Sequence, residues 1–271
     1  MNGESEMNLL SVSLLEAGYS GQVVLREVEF ELPAGQFLAI CGRNGSGKST
    51  LLRALLKLLP QVKGKIYLGG KNIFQLTARE IASLSAYVPQ VTEPVFDFSV
   101  EEIVAMARYF HQQMFFTHLS QADRQKVEEA LVLTETAGLR LKSFNQLSSG
   151  EKQRVLIARA LAQDSPLILL DEPSSHLDLN FQLQVYQLLK RLQKEKGKTI
   201  LVTEHNLNLC LPYCDQIMFL KGGKVVASGQ PLKVVSSQLL SEVFDLEVEL
   251  RQNTSTGLPE ISLIHRREAD E

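Results

Sequence analysis

Residues 42–49, Gly42-Arg43-Asn44-Gly45-Ser46-Gly47-Lys48-Ser49, fit the pattern G-x-x-x-x-G-K-[ST]. A loop of this kind does phosphate chemistry. Its backbone N–H groups wrap the oxygens of a phosphate chain, and side chains at the glycine positions would obstruct that approach. Gly42, Asn44, Gly45, Ser46 and Gly47 make the cradle. Lys48 can reach the β- and γ-phosphates, and the Ser49 hydroxyl can ligate Mg²⁺. Thr50 opens the next helix, whose N-terminus favours an anion. A guanine-specific switch protein would normally add N-K-x-D, which the sequence lacks. On this loop alone a small-molecule kinase stays open.

The loop needs a strand before it and a helix after it, and the surrounding pattern supplies both. LLSVSLL, QVVLREVEFEL and QFLAI read as strands, separated by turns at residues 18–21 and 33–35, and GKIYLGG adds a short one. Apolar strands then alternate with helices. QFLAIC runs into a helix from Lys48, PLILL follows a helix at 151–162, and TILVT follows a helix at about 181–194. That alternation predicts an α/β fold with a mostly parallel sheet and flanking helices. Between residues 92 and 146 the strand signal disappears. Ser99-x-x-Glu102 and Ser120-x-x-Asp123 match capping boxes there, each before a helical apolar run. Ile103, Ala107 and Phe110 share one face, as do Val127, Ala130, Leu131 and Thr134. This stretch reads as a helical insertion. After about residue 230 the signals are weak, and the ending HRREADE is expected to fray.

Further motifs narrow the chemistry. Leu147-Ser148-Ser149-Gly150-Glu151 resembles the ABC signature, usually written LSGGQ, and LILLDEP at 167–173 resembles a Walker B strand with its catalytic glutamate. SSHLD at 174–178 resembles the D-loop, Gln90 in AYVPQ the Q-loop, and His205, after a further strand, the switch histidine. The order and spacing of the set are similar to those of ABC-transporter ATPases over about residues 9–260. The resemblance implies a P-loop NTPase core with an N-terminal antiparallel β subdomain. It makes residues 1–260 one ATPase domain, with the helical subdomain inserted at about 92–146 and a frayed tail at 261–271. It also implies that ATP and Mg²⁺ are bound. Asp171 ends a buried strand and would hold the metal with Ser49 and Gln90. Glu172 would orient and polarise the attacking water, with Gln90, His205 and Lys48 beside it. Tyr19 matches the aromatic that stacks on adenine. Ser148, Ser149 and Gly150 would meet the γ-phosphate of a second copy in a head-to-tail dimer, from a helix N-terminus that favours anions. His176, inside the D-loop, reads as interface packing. Ser149 and Glu151 depart from the usual glycine and glutamine. Asn206 stands where aspartate usually follows the histidine, and Glu204 precedes it.

Composition sets the context. An apolar share of 44% over 271 residues can bury a substantial core. A net charge of −3 argues against general nucleic-acid binding. No run of about 20 apolar residues offers a membrane span, and MNGESEMNLL does not read as a secretory signal. Cys41, Cys210 and Cys214 read as buried thiols of a reducing cytoplasm rather than a metal pair. The resemblance therefore implies a peripheral protein on the cytoplasmic face of the inner membrane. Its partners would be a multi-span permease and, through it, a substrate-binding protein. Phe96 and Phe98 either pack under the helical insertion or line a groove for a short permease helix. EEIVAMARYFHQ, HNLNLCLPYCDQIMFLKGGKVVASG and LLSEVFDLEVEL look most like ATPases of importers for iron–siderophore, haem and cobalamin. The alternatives are a zinc or manganese importer and a non-transport ABC ATPase of translation or DNA repair. Members of that last class carry two fused nucleotide domains, a long coiled coil or a zinc module, none of which is visible here.

Overall fold

The computed structural model describes residues 8–90, 97–111, 119–254 and 257–263. β1 (Asn8–Tyr19) and β2 (Gln22–Pro33) form an antiparallel hairpin, followed by β3 (Phe37–Cys41) and α1 (Lys48–Leu55). β4 (Gln61–Leu68) and the short β5 (Lys71–Asn72) complete an antiparallel sheet of order β2-β1-β4-β5. α2 (Ala78–Leu84) leads into β6 (Ser85–Val88), and then come α3 (Val100–Ala105), α4 (Gln121–Leu133) and α5 (Ser149–Ala162). The chain returns to the sheet with β7 (Leu167–Asp171), α6 (Leu179–Lys196), β8 (Thr199–Glu204), α7 (Leu207–Cys210), β9 (Gln216–Lys221) and β10 (Lys224–Gly229). α8 (Pro231–Val234), α9 (Ser237–Phe244), β11 (Val248–Gln252) and β12 (Pro259–Leu263) follow.

The second sheet has the order β10-β9-β3-β8-β7-β6, parallel except for β10 at one edge. β3, β7 and β8 read FLAIC, LILLD and TILVTE, and every residue in them is buried. Continuous burial is what a parallel strand covered on both faces requires. Alternate side chains feed two cores. Leu38, Ile40, Leu169 and Leu201 face α1 and the antiparallel sheet, whereas Ala39, Ile168, Leu170, Ile200 and Val202 face the helices α3 to α6. Burying each large side chain contributes about 1.5–3 kcal/mol. The carboxyl ends of these strands are therefore held from both sides.

In the helical stretch both expected capping boxes form. Ser99 pairs with Glu102 ahead of α3, and Ser120 with Asp123 ahead of α4. Ile103, Ala107, Val127, Ala130, Leu131 and Thr134 are buried, as their spacing predicts. A buried Arg108–Asp123 pair at 2.9 Å, with Arg108 Nη1 donating to the Ala162 carbonyl at 2.8 Å, ties α4 to the end of α5. The tail departs from expectation. Pro259–Leu263 pairs antiparallel with Val248–Gln252, so order extends past residue 261. The reason is tertiary: the Asn208 amide donates to the Ile261 carbonyl and accepts from its N–H, both at 2.9 Å. Residues 264–271 and Phe96 lie outside the described residues. Phe98 packs, half-buried, against the helical core.

Candidate active site

The parallel register decides what meets what. Cys41 lies opposite Glu204, and Asp171 opposite Thr203. The phosphate loop, the Asp171-Glu172 pair and the Glu204-His205 pair therefore leave the same edge of the sheet, where open α/β sheets bind ligands. Two glycines explain the loop's shape. A Cβ on Gly42 would lie 2.2 Å from the Leu220 carbonyl oxygen, and Gly47 holds φ +107° as the N-cap of α1. Gly223 N donates to the Ser46 carbonyl at 3.0 Å, which fastens the loop to the β9–β10 turn. Lys48 is buried, and its Nζ lies 2.9 Å from the Gly42 carbonyl. Val24, Asn44, Gly45, Gly47, Lys48, Ser49, Thr50, Gln90 and Glu172 line one cavity of about 420 Å³. Ser46 is buried, its Oγ shielded and without a hydrogen-bond partner, and it is not among the residues that line the cavity.

Asp171 is surrounded by hydroxyls. Ser49 Oγ and Thr203 Oγ1 donate to its Oδ1 at 3.0 and 2.7 Å, and the Tyr87 hydroxyl to Oδ2 at 3.4 Å. Burial, then the Asp171 charge, push the Tyr87 phenol up to about 12, so it remains a donor at neutral pH. The donor set fits Mg²⁺: hard oxygens from Ser49, Asp171 and Gln90. Among the described residues no group of three or more His, Cys, Asp or Glu could hold a metal.

Glu172 sits at the convergence. It adopts φ +45°, an uncommon value for a non-glycine residue, which turns the chain directly after β7. Its N–H donates to Thr203 Oγ1 at 2.9 Å. Gln90 Nε2 donates to its Oε2 at 3.0 Å, Lys48 Nζ lies 3.3 Å from Oε1, and His205 Nδ1 lies 3.7 Å from Oε2. Gln90, Asp171, Glu172, His205 and the phosphate loop are thus brought together as expected.

Tyr19 and the signature stand apart from that cavity. Tyr19 is exposed at the end of β1, its hydroxyl accepting from Arg53 Nη1 at 2.7 Å. Ser148 is the N-cap of α5 and forms a reciprocal capping box with Glu151. The Ser148 N–H and hydroxyl hold the Glu151 carboxyl below the usual range. Glu151 in place of glutamine thus completes a helix cap. Ser149 opens the helix, and Gly150 lies under Phe181, whose ring carbons would be 2.5 Å from any Cβ there. His176 is exposed and holds φ +62°.

Sequence reading missed Val24, Tyr87 and Thr203, and it named Ser174, within the D-loop, and Glu204, before the histidine, without giving either a role. The cysteines are free and buried, with Cys41 and Cys210 sulfurs 3.8 Å apart. The Cys210 hydrogen bond and burial push the Cys214 thiol up, and the Cys210 thiol is raised as well.

Comparison with known proteins agrees with this geometry. The ABC transporter family model matches residues 25–175. The iron(3+)-hydroxamate import ATP-binding protein FhuC of Bacillus subtilis (strain 168) is 37% identical, over 93% of this chain and 94% of its own. The hemin import ATP-binding protein HmuV of Streptomyces coelicolor is 39% identical, over 90% and 85%. A structure described as an inward-facing metal-chelate type ABC transporter superposes with a TM-score of 0.84 at 30% identity, covering 96% of this chain and 99% of the other. The dimeric, post-hydrolysis ATP-binding cassette MJ0796 bound to ADP and Pi gives 0.71 at 30% identity, covering 82% and 98%. This chain belongs to the ABC transporter family, as an ATP-binding subunit that hydrolyses ATP.

Proposed function

We propose that this subunit powers a membrane permease that imports a ferric siderophore, haem or cobalamin. The observation that carries the motor assignment is the convergence of Lys48, Gln90 and His205 on the Glu172 carboxylate, at 3.3, 3.0 and 3.7 Å, beside the phosphate loop. In this reading the N–H groups of residues 42–47 hold the phosphates, and Lys48 offsets charge on the β- and γ-oxygens. Glu172 takes the proton of the attacking water as its oxygen bonds to the γ-phosphorus and the bond to ADP breaks. Gln90 and His205 fix that water against the γ-phosphate. Ser49, Asp171 and Gln90 would hold Mg²⁺, which when bound neutralises charge on the phosphoryl oxygens. Tyr19, steadied by Arg53, would stack on adenine.

Ser148, Ser149 and Gly150 lie outside the phosphate cavity of their own chain, which supports their serving a second copy head to tail. For the permease contact we favour a groove of about 700 Å³ lined by Leu58, Leu76, Ile81, Tyr87, Met106 and neighbouring residues. Its apolar lining suits a short permease helix. Tyr87 reaches from it to Asp171, giving a direct route from docking to the metal ligand. Phe98 packs on the core and is not among the residues lining this groove. Among the described residues no helix is long and apolar enough to cross a membrane. The subunit would sit peripherally on the cytoplasmic face, held by the permease, with a substrate-binding protein delivering cargo from the other side.

Likeness to FhuC and HmuV supports the metal-chelate cargo over zinc or manganese. Deleting the gene and following uptake of labelled ferric siderophores, haem and cobalamin under iron limitation tests it. Loss of uptake for one of these is expected. Unchanged uptake of all three, with a defect for another solute, would overturn the cargo assignment and leave the ATPase standing.

A further inference from the structure

Glu204 is fully buried at the end of β8 and accepts four hydrogen bonds. The His205 and Asn206 N–H groups donate to Oε1 at 2.9 and 3.1 Å. The Ser174 and Tyr186 hydroxyls donate to Oε2 at 2.5 and 2.8 Å. Burial, then the Glu204 charge, push the Tyr186 phenol well above its ordinary range, so Tyr186 stays a donor. No lysine or arginine contacts this carboxyl among the described residues. The His205 imidazole lies near it, Nδ1 at 3.5 Å from Oε1. A buried acid is costly unless hydrogen bonds meet it, and the origin of these donors is informative. Ser174 stands two residues after Glu172. His205 is the residue whose imidazole faces Glu172 at 3.7 Å. The neighbouring Thr203 does the same job one residue earlier, donating to Asp171 and accepting from Glu172 N–H. The end of β8 thus forms a template for the end of β7.

We propose that Glu204 is a positioning residue for hydrolysis. It locks the His205 backbone to the Ser174 turn, so that the histidine and Glu172 keep one relative placement. This rests on Glu172 and His205 being the hydrolytic pair. Glu204 itself touches neither water nor phosphate.

The contrast between Ser174→Ala and Tyr186→Phe tests it, because each deletes one hydrogen bond to the same oxygen. Only Ser174 belongs to the catalytic loop; Tyr186 anchors the acid to α6. Steady-state ATPase kinetics and thermal unfolding would be measured on the purified subunit with MgATP. Ser174→Ala should lower kcat about 3–10-fold at unchanged KM, the scale of one hydrogen bond. Tyr186→Phe should lower Tm yet keep kcat within about twofold. Glu204→Gln retains an acceptor for the two N–H groups and should lose less kcat than Glu204→Leu. In a His205→Ala background, Glu204→Gln should add less than about a twofold further loss, since residues acting as one unit are non-additive. Equal kcat losses in Ser174→Ala and Tyr186→Phe, tracking Tm, would overturn positioning in favour of a purely structural acid. So would full additivity with His205→Ala. If Glu172→Gln and His205→Ala both keep wild-type turnover, the hydrolytic pair itself is wrong and the proposal falls with it.

Discussion

Thr203→Val exchanges a hydroxyl for a methyl of nearly equal volume and so removes two hydrogen bonds without opening a cavity. Thr203 Oγ1 donates to Asp171 Oδ1 at 2.7 Å and accepts from Glu172 N–H at 2.9 Å, and the residue is fully buried. A hydrogen bond to a charged group contributes about 1.5–3 kcal/mol, and an unsatisfied buried N–H costs about 1–3 kcal/mol. Both effects act at one atom and overlap, so about 2–4 kcal/mol is expected in sum. At about 2–4 °C per kcal/mol for a chain near this size, Tm should fall by about 5–15 °C. Turnover should suffer independently, because the Glu172 N–H helps to hold a φ of +45°. A general base released to shift by about an ångström can lose about 10²-fold in rate. The assay is ATP turnover at saturating MgATP, well below the lowered Tm, beside a thermal unfolding curve. Thr203→Ser keeps the hydroxyl and should stay within about threefold of wild type. A valine variant with unchanged Tm and unchanged kcat would refute the view that Thr203 holds the two acids.

Gly150→Ala should be destabilising although alanine favours helices. Its Cβ would lie 2.5 Å from the Phe181 ring, which Arg154 covers at 5.7 Å. Overpacking of about 1–3 kcal/mol should exceed a helix gain of up to about 1 kcal/mol, and a raised Tm would contradict this. Acid should loosen the capping boxes. Hydrogen bonds from Thr77, Ser99 and Ser148 hold Glu80, Glu102 and Glu151 below their ordinary values. Groups depressed on folding add stability that is fully present above the unfolded value, about 4.3, and lost as pH falls through the folded one. These three therefore leave Tm flat between about pH 6 and 8 and lower it below about pH 4. Replacing all three by glutamine should shallow that acid slope, and an unchanged slope would count against it.

The phosphate loop was legible because its chemistry fixes spacing over eight adjacent residues, and Asp171-Glu172 because an apolar strand precedes them. The boxes at Ser99 and Ser120 were legible through local hydrogen-bond logic. The same logic applied at Ser148-x-x-Glu151 and Thr77-x-x-Glu80, and there it passed unread. Glu151, read as a departure from the motif tolerated in the first turn, also closes the capping box of Ser148. Thr203 and Glu204 were out of reach for a different reason. Their roles follow from β7–β8 register, which joins residues about thirty apart that no local periodicity couples. The φ of Glu172 leaves no mark on composition at all. The tail misled because β11 and β12 are short, and what holds them is tertiary: Val248, Leu250 and Ile261 pack on the core and Asn208 reaches across from α7 to Ile261.

Glu172→Gln tests the central claim most directly, in ATP hydrolysis and nucleotide binding measured on the same preparation. The amide keeps the side chain's shape and its contact with Gln90, but it cannot accept the water's proton. Turnover should fall about 10²–10⁴-fold, the scale of a general base. ATP binding should be retained, and the protein should run as a dimer on a sizing column with MgATP. Lys48→Ala should differ by weakening binding itself. Near-wild-type hydrolysis by Glu172→Gln would contradict the account.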